Sequence, residues 1–523
     1  MRADGWTLPQ VMARRRRDDP RLQALVSDDA AISYQELDDA SRALAARMVR
    51  AGLAKGDRVG LLMPNGIEWA TTALAVMRVG AVLVPLSTLL RPPELAAQLR
   101  LASVSHLVAV RGYRGRSYLD DLRSLGPELL ARVARSERDP LLPALRRIWI
   151  AGELPADPAS ASLIEALESV VRPDDDLVVL FTSGSRGAPK GVIHTHGSAL
   201  RATAAGLEAR GIGAGERLYI PMPFFWTGGF NGGLLSALLA GATLLTESTP
   251  EPARTLRLLE RERATLFRGW PDQAAQLAAH PAFAATDLSS LRPASLAAVL
   301  PAAQRPRPGA RANLFGMTES GGPYCGARLD LDLPATKHGS CGRPFAGVDV
   351  RIVEPESGKP VAAGVQGEIQ LRGPQMMRGI CGRTRTELFD ANGYYSTGDL
   401  GRLDEDGYLW FAGRRDDMFK LKGATVYPTE VETGLRSIPG VAQAFVTDVE
   451  AGGGAREVAA LVVSKSADAE QLASAARERL SAFKVPTLWL VVAGAEQVPM
   501  SATGKVDKPA LQELLRSRGV RRG

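Results

Sequence analysis

Between Ser33 and Gly52 the chain reads SYQELDDASRALAARMVRAG, with apolar residues at helical spacing, Ser33 and Glu36 three apart as in a capping box, and a glycine stop. The pattern predicts a helix. The short apolar runs DRVGLLMPN (57–65) and AVLVPL (81–86) flank the helical EWATTALAVMRVG (68–80), the arrangement of a βαβ unit on a buried parallel sheet. The fold class is therefore α/β. From Gly339 onward the texture changes to short near-alternating runs bounded by Gly, Pro, Asn or Asp: VDVRIVEP, GEIQLRGP and GYLWFAGR. These predict a small β-rich subdomain. After GRRDD (413–417) a smaller α+β pattern follows, with PTEVETGLRSIPG and DAEQLASAARERL as helices, AFVTDV and EVAALVV as strands, and VPMSATGKVDKPA as a closing loop. The charged, turn-like GRRDD places a domain boundary at 415/416, giving a large domain over 1–415 and a small C-terminal one over 416–523.

Composition narrows the function. A chain of 523 residues with 45% hydrophobic and 23% charged content has room for several cores. The net charge of +7 is spread along the chain, and its one basic run, Arg14–Arg17, is followed at once by Asp18 and Asp19. That run reads as a solvated helix face, so no nucleic-acid partner is expected. The three cysteines, Cys325, Cys341 and Cys381, form no C-x-x-C pair, which fits a reducing compartment. His194 and His196 have no metal-site spacing, and no apolar run is long enough for a membrane span, so a cytoplasmic protein is expected.

The stretch LFTSGSRGAPKGVIHTHG (180–197) sets glycines, hydroxyls and Lys190 between an apolar run and a helix-like run. Glycine lets a loop turn its backbone N–H groups inward, and such a loop suits phosphate. An ordinary Gly/Ser loop has the same composition. The stretch is not a Walker A sequence, because Pro189 precedes Lys190 and Gly191 follows it, and no G-x-S-x-G supports a serine hydrolase.

Read with NLFGMTES, GYYSTGDLG, GRRDDMFKLKG and PMSATGK, in that order, the loop resembles the first of the core motifs of the adenylate-forming superfamily, in its acyl-CoA synthetase branch. The resemblance runs from about Ser33 to Lys508. It implies that Thr182, Ser183, Gly184, Ser185, Arg186, Gly187 and Lys190 hold the β- and γ-phosphates of ATP. Phe315, with Gly316 beside it, would stack on adenine, Thr318 would contact the α-phosphate, and Glu319 would help hold Mg²⁺. Asp399 would accept both ribose hydroxyls and Arg414 would contact ribose or phosphate. Asp416 would be the hinge of a mobile C-terminal domain, Lys422 and Gly423 would line the CoA channel, and Lys505 would bring carboxylate and α-phosphate together.

Four departures from the family pattern stand out. Arg186 replaces a hydroxyl residue in the phosphate loop, and the stretch before Phe315 is short and rich in Pro and Arg. Trp226 stands where many members have His, and AGGGAREVAALVV lacks the Gly-Glu that often precedes such a strand. No Asp or Glu lies between Pro221 and Gly233, so a substrate ammonium would be buried without a counter-charge. Amino acids are therefore unexpected. Phe225, Trp226 and Trp270 supply apolar walls while Gly228 and Gly229 subtract volume, which predicts a roomy pocket for a bulky apolar acid. Trp226 also reads as a packed core indole. The expected reaction is ATP-dependent activation of such an acid to acyl-AMP, then transfer to CoA; hand-over of the adenylate to a carrier protein is the alternative, and a homodimer is left open.

Overall fold

The computed structural model describes residues 5–522 except 127, 155–156, 184–188, 418, 422–423, 451–455, 481–483 and 501–505. Residues 1–349 with 371–395 pack as one compact unit, and residues 350–370 with 396–523 as a second. The 415/416 boundary expected from GRRDD lies inside the second of these.

The first unit is built on two sheets. The larger has seven strands, ordered Gly379–Ile380, Pro189–Thr195, Asp176–Ser183, Val82–Pro85, Arg58–Leu62, His106–Ala109 and Arg147–Ile150. Arg58–Leu62 and Val82–Pro85 run parallel with helix Ile67–Arg78 between them, as the pattern predicts. The second sheet places Leu266–Phe267, Arg217–Tyr219, Thr243–Thr246 and Gln23–Ser27 in parallel, with Ala30–Ser33 antiparallel at its edge. Ligands in open parallel sheets gather outside the carboxyl ends of the strands. Two of the segments leaving those ends in the second sheet are 220–226 and 268–270, which carry Phe225, Trp226 and Trp270.

Helix Tyr34–Arg50 begins as predicted: the Glu36 N–H donates to Ser33 Oγ at 3.2 Å, and the Glu36 carboxylate accepts from the Ser33 N–H at 2.8 Å. Gly52 follows its end at φ +103°, the left-handed region. The basic run is not wholly solvated. It lies on helix Leu8–Asp18, where Arg15 is buried and paired with Asp19 at 2.6 Å, and Arg16 reaches Asp38 at 3.1 Å. The acidic partners come from the same turn and from the next helix, and they draw the run inward.

In the second unit the strand order Asp349–Val353, Gly367–Arg372, Tyr395–Leu403, Leu409–Arg414 forms the β-rich part. Its C-terminal portion pairs Val441–Glu450 antiparallel with Arg456–Ser464, which runs parallel to Leu488–Val492. Helices Pro428–Arg436 and Ala469–Arg477 follow the expected pattern. The end of the chain does not close on a loop. Asp507 caps a helix over Lys508–Arg518, its Oδ1 accepting from the Ala510 N–H at 3.1 Å.

Candidate active site

Strand Asp176–Ser183 turns back as Pro189–Thr195, with Thr182 opposite Lys190. Lys190 therefore stands on a strand, and the helix His196–Ala205 begins six residues later than a phosphate-loop helix would. Gly184, Ser185, Arg186 and Gly187, between these strands, lie outside the described residues, as do Lys422, Gly423 and Lys505. Ser183 ends its strand, and Asp416 lies in the turn Arg415–Asp417.

In the first unit, Phe315–Met317 pairs antiparallel with Gly322–Gly326 and carries the Thr318–Ser320 turn between them. A Cβ on Gly316 would come within 2.2 Å of the Gly322 carbonyl oxygen, so the close approach of the two strands requires glycine there. Phe315 meets Tyr324 edge to face at 5.6 Å. Glu319 is buried, and its Oε1 accepts a long 3.4 Å bond from the Tyr395 hydroxyl. A single buried carboxylate with oxygen lone pairs fits Mg²⁺, a hard cation that draws its remaining ligands from phosphate and water.

His194 explains how the turn is held. Its Nε2 donates to the Thr318 carbonyl at 2.7 Å, which fixes the tautomer and leaves Nδ1 facing the Ser198 hydroxyl at 3.2 Å. His196 accepts the Leu8 N–H on Nδ1 at 3.1 Å. Burial pushes both imidazoles down to about 4. Because the unfolded value is near 6.5, the stability they contribute is full above about pH 6.5 and is lost as pH falls towards 4. The expected result is a melting temperature that drops across that interval, with each histidine accounting for up to about 3 kcal/mol. Thermal unfolding of His194→Asn at stepped pH checks it: an unchanged slope would sink the assignment.

Phe225, Trp226 and Trp270 form one aromatic chain. Phe225 meets Trp226 at 5.2 Å and Trp226 meets Trp270 at 5.6 Å, both edge to face. Phe225 is buried, Trp226 half-buried, and Trp270 exposed. Asn65 supports the segment beneath, its Nδ2 donating to the Met222 carbonyl at 3.0 Å and its Oδ1 accepting from the Phe224 N–H at 2.8 Å. Thr227, the next residue, donates from Oγ1 to the Thr318 hydroxyl at 3.3 Å. The aromatic chain thus adjoins the Thr318 turn.

Gly228 and Gly229 do not leave the empty volume that their sequence suggests. A Cβ at Gly228 would lie 2.6 Å from Met222 Sδ, and one at Gly229 would lie 2.2 Å from the Pro223 oxygen. Their missing side chains let the helix start pack on the preceding turn, and that turn fills the space. The helix continues through a π-helical stretch over Phe230–Leu235, in which the Asn231 carbonyl accepts the Ser236 hydroxyl at 2.6 Å.

In the second unit, Asp399 and Arg414 are register partners on adjacent antiparallel strands, and Arg414 Nη1 reaches Asp399 Oδ1 at 2.8 Å. The same nitrogen donates to the Thr397 carbonyl at 3.1 Å. Gly398, at φ +73°, turns the chain so that Asp399 faces this partner. Glu368 completes the corner, accepting the Gly398 N–H at 3.2 Å and pairing with Arg415 at 3.0 Å. The motif residues Asp399 and Arg414 are therefore brought together; the support from Asn65, His194 and Glu368 was not foreseen from sequence.

The family model described as AMP-binding enzyme matches residues 12–381, and the chain belongs to that family. It is 33% identical to a (7a-methyl-1,5-dioxo-octahydro-1H-inden-4-yl)propanoyl:CoA ligase of Mycobacterium tuberculosis, over 97% of this chain and 99% of that one. It is 32% identical to a feruloyl-CoA synthase of Amycolatopsis, over 95% and 96% of the two chains. A crystal structure of the anthranilate CoA ligase AuaEII in complex with anthranoyl-AMP shares the fold, with a TM-score of 0.79 at 24% identity, covering 98% of this chain and 99% of that one. The protein is an enzyme of the acyl-CoA ligase type, with an adenylate-forming α/β fold. Among the described residues, no helix is long and apolar enough to cross a membrane.

Proposed function

We propose that this ligase activates a carboxylic acid with a bulky apolar body. The observation that carries the reading is the aromatic chain Phe225–Trp226–Trp270 adjoining the Thr318 turn. A carboxylate oxygen of the substrate attacks the α-phosphorus of ATP, pyrophosphate leaves, and acyl-AMP forms. The thiol sulfur of CoA then attacks the acyl carbon, AMP leaves with the bonding pair, and the thiol proton goes to solvent. Thr182, Ser183, Lys190 and the 184–187 loop hold the departing phosphates. Thr318 bonds the α-phosphate, Asp399 and Arg414 hold the ribose side, and Phe315 with Gly316 flanks adenine. Glu319 would hold Mg²⁺, whose charge offsets that of the phosphate oxygens when it is bound. Lys505 bridges the two anions during adenylation, and the C-terminal domain, turning about Asp416, then presents Lys422 and Gly423 to CoA. The acceptor is CoA itself, as for the relatives named above.

A panel of carboxylic acids in ATP/pyrophosphate exchange, followed by CoA addition, tests the reading. Apolar acids are expected to exchange and then to yield thioester, while free amino acids stay inactive; strong exchange with an amino acid would overturn it. Trp226→Ala is expected to raise KM for the preferred acid about tenfold or more with KM for ATP near the parent's, the mark of a lost binding wall. Equal loss for acid and ATP in a folded variant would return Trp226 to a packing role.

A further inference from the structure

Residues 224–226 are three aromatics in a row, Phe-Phe-Trp. All three offer the core bulk and an apolar ring, so hydrophobicity alone does not choose which of them is taken in. Phe224 is fully buried, edge to face with Trp69 at 5.1 Å, while Trp226 stays half-buried beside Trp270. The choice is made on the backbone. Pro223 has no N–H, so the main-chain groups that need partners on either side of its ring nitrogen and carbonyl are the Met222 carbonyl and the Phe224 N–H. Asn65 meets both, donating from Nδ2 to the Met222 carbonyl at 3.0 Å and accepting the Phe224 N–H on Oδ1 at 2.8 Å. A side-chain amide carries a donor and an acceptor side by side, so it can replace a neighbouring strand at this point.

Asn65 is itself held. Its Nδ2 also donates to Thr246 Oγ1 at 3.1 Å, and that hydroxyl donates to the Ile220 carbonyl at 3.3 Å. The Ile220 N–H goes to the Leu245 carbonyl at 3.1 Å. The two side chains thus carry the hydrogen bonding between strands Arg217–Tyr219 and Thr243–Thr246 onward through residues 220, 222 and 224, to the foot of the aromatic chain. The Trp226 N–H donates back to the Pro223 carbonyl at 3.1 Å, so the turn that aims Phe225 and Trp226 hangs from the segment that Asn65 grips. Asn65 and Thr246 are both buried, which shields these bonds from water. We propose that Asn65 is a specificity-determining positioning residue: by fixing which member of the aromatic run enters the core, it sets the wall formed by Phe225 and Trp226 and thereby the bulk of the acid that is accepted. The inference rests on the reading that these two residues wall the acyl pocket.

The test is pyrophosphate release by the full chain with 3-phenylpropanoic and 3-cyclohexylpropanoic acids, each against butanoic acid, read as the ratio of their kcat/KM values. Both members of a ratio come from one preparation, so a lowered folded fraction cancels. The parent is expected to favour the ring-bearing acids. Asn65→Asp keeps the shape and the acceptor for the Phe224 N–H but sets a carboxylate against the Met222 carbonyl; it is expected to cut the ratio about tenfold or more, with KM for ATP within about twofold of the parent's. Thr246→Val, which removes one partner of Asn65, is expected to cut it less, and Thr246→Ser, which keeps the hydroxyl, to leave it near the parent's. Trp226→Ala serves as the comparison, since it alters the wall directly. A ratio that falls in Trp226→Ala but holds in Asn65→Asp, or a kcat/KM that Asn65→Asp lowers alike for every acid, makes Asn65 merely structural and leaves the pocket standing. A ratio that neither variant moves, or no release by the parent with any of the acids, overturns the pocket reading and this inference with it.

Discussion

Asp399→Asn is expected to lower kcat/KM for ATP by about 10²-fold while the protein keeps its fold. The carboxylate accepts from Arg414 at 2.8 Å on Oδ1, and on the proposed reading its oxygens also take both ribose hydroxyls. Each hydrogen bond to a charged acceptor contributes about 1.5–3 kcal/mol. Asparagine keeps one acceptor oxygen and the side-chain shape but loses the charge, so a loss near 3 kcal/mol, or about 10²-fold, is the expected scale. A second substrate separates ribose binding from support of Arg414. With 2′-deoxy-ATP the parent has already lost one of the contacts, so the ratio of parent to variant should shrink by about tenfold. A ratio as large for 2′-deoxy-ATP as for ATP would mean that Asp399 acts only by holding Arg414.

What could be read from the sequence was local. Helix Tyr34–Arg50 announces itself because its cap, its apolar stripe and its glycine stop all lie within one stretch. The strand bearing Arg414 is equally legible from its alternation, whereas its partner Tyr395–Leu403, which bears Asp399, was legible only as a motif. The closing helix Lys508–Arg518 was not, because its buried positions are only Leu511 and Leu515 and its first residues look like a turn. Asn65 acts on residues 222 and 224 and His194 on residue 318, and no local pattern carries contacts of that span. Gly229 misleads for a different reason. A missing side chain makes room, but its own neighbour Pro223 occupies that room, and only coordinates distinguish this from a ligand cavity.

Lys505→Ala is expected to separate the two half-reactions. The lysine stands in the PMSATGK motif, and its proposed task is to bridge the substrate carboxylate and the α-phosphate, two anions whose approach is opposed by their own charge. At about 4 Å and an effective dielectric near 20, each contact of a unit cation is of order 4 kcal/mol before desolvation. The net effect on the barrier is smaller, and removal of one donor to the reacting oxygens typically slows a reaction by about 10²–10³-fold. Adenylation, measured as pyrophosphate release with saturating ATP and acid, should fall by that factor. Thioester formation poses no such encounter, because the acyl group already arrives as a mixed anhydride and the attacking sulfur approaches the carbonyl, not the phosphorus. Supplied with synthetic acyl-AMP, the variant should therefore make acyl-CoA within about tenfold of the parent, a difference of only about 1.4 kcal/mol. Lys505→Arg adds a control: it keeps the charge but replaces a compact ammonium with a planar fork, so partial recovery of adenylation marks the charge as the working feature. Equal loss in both half-reactions would make Lys505 a structural residue, and unimpaired adenylation would remove it from the chemistry.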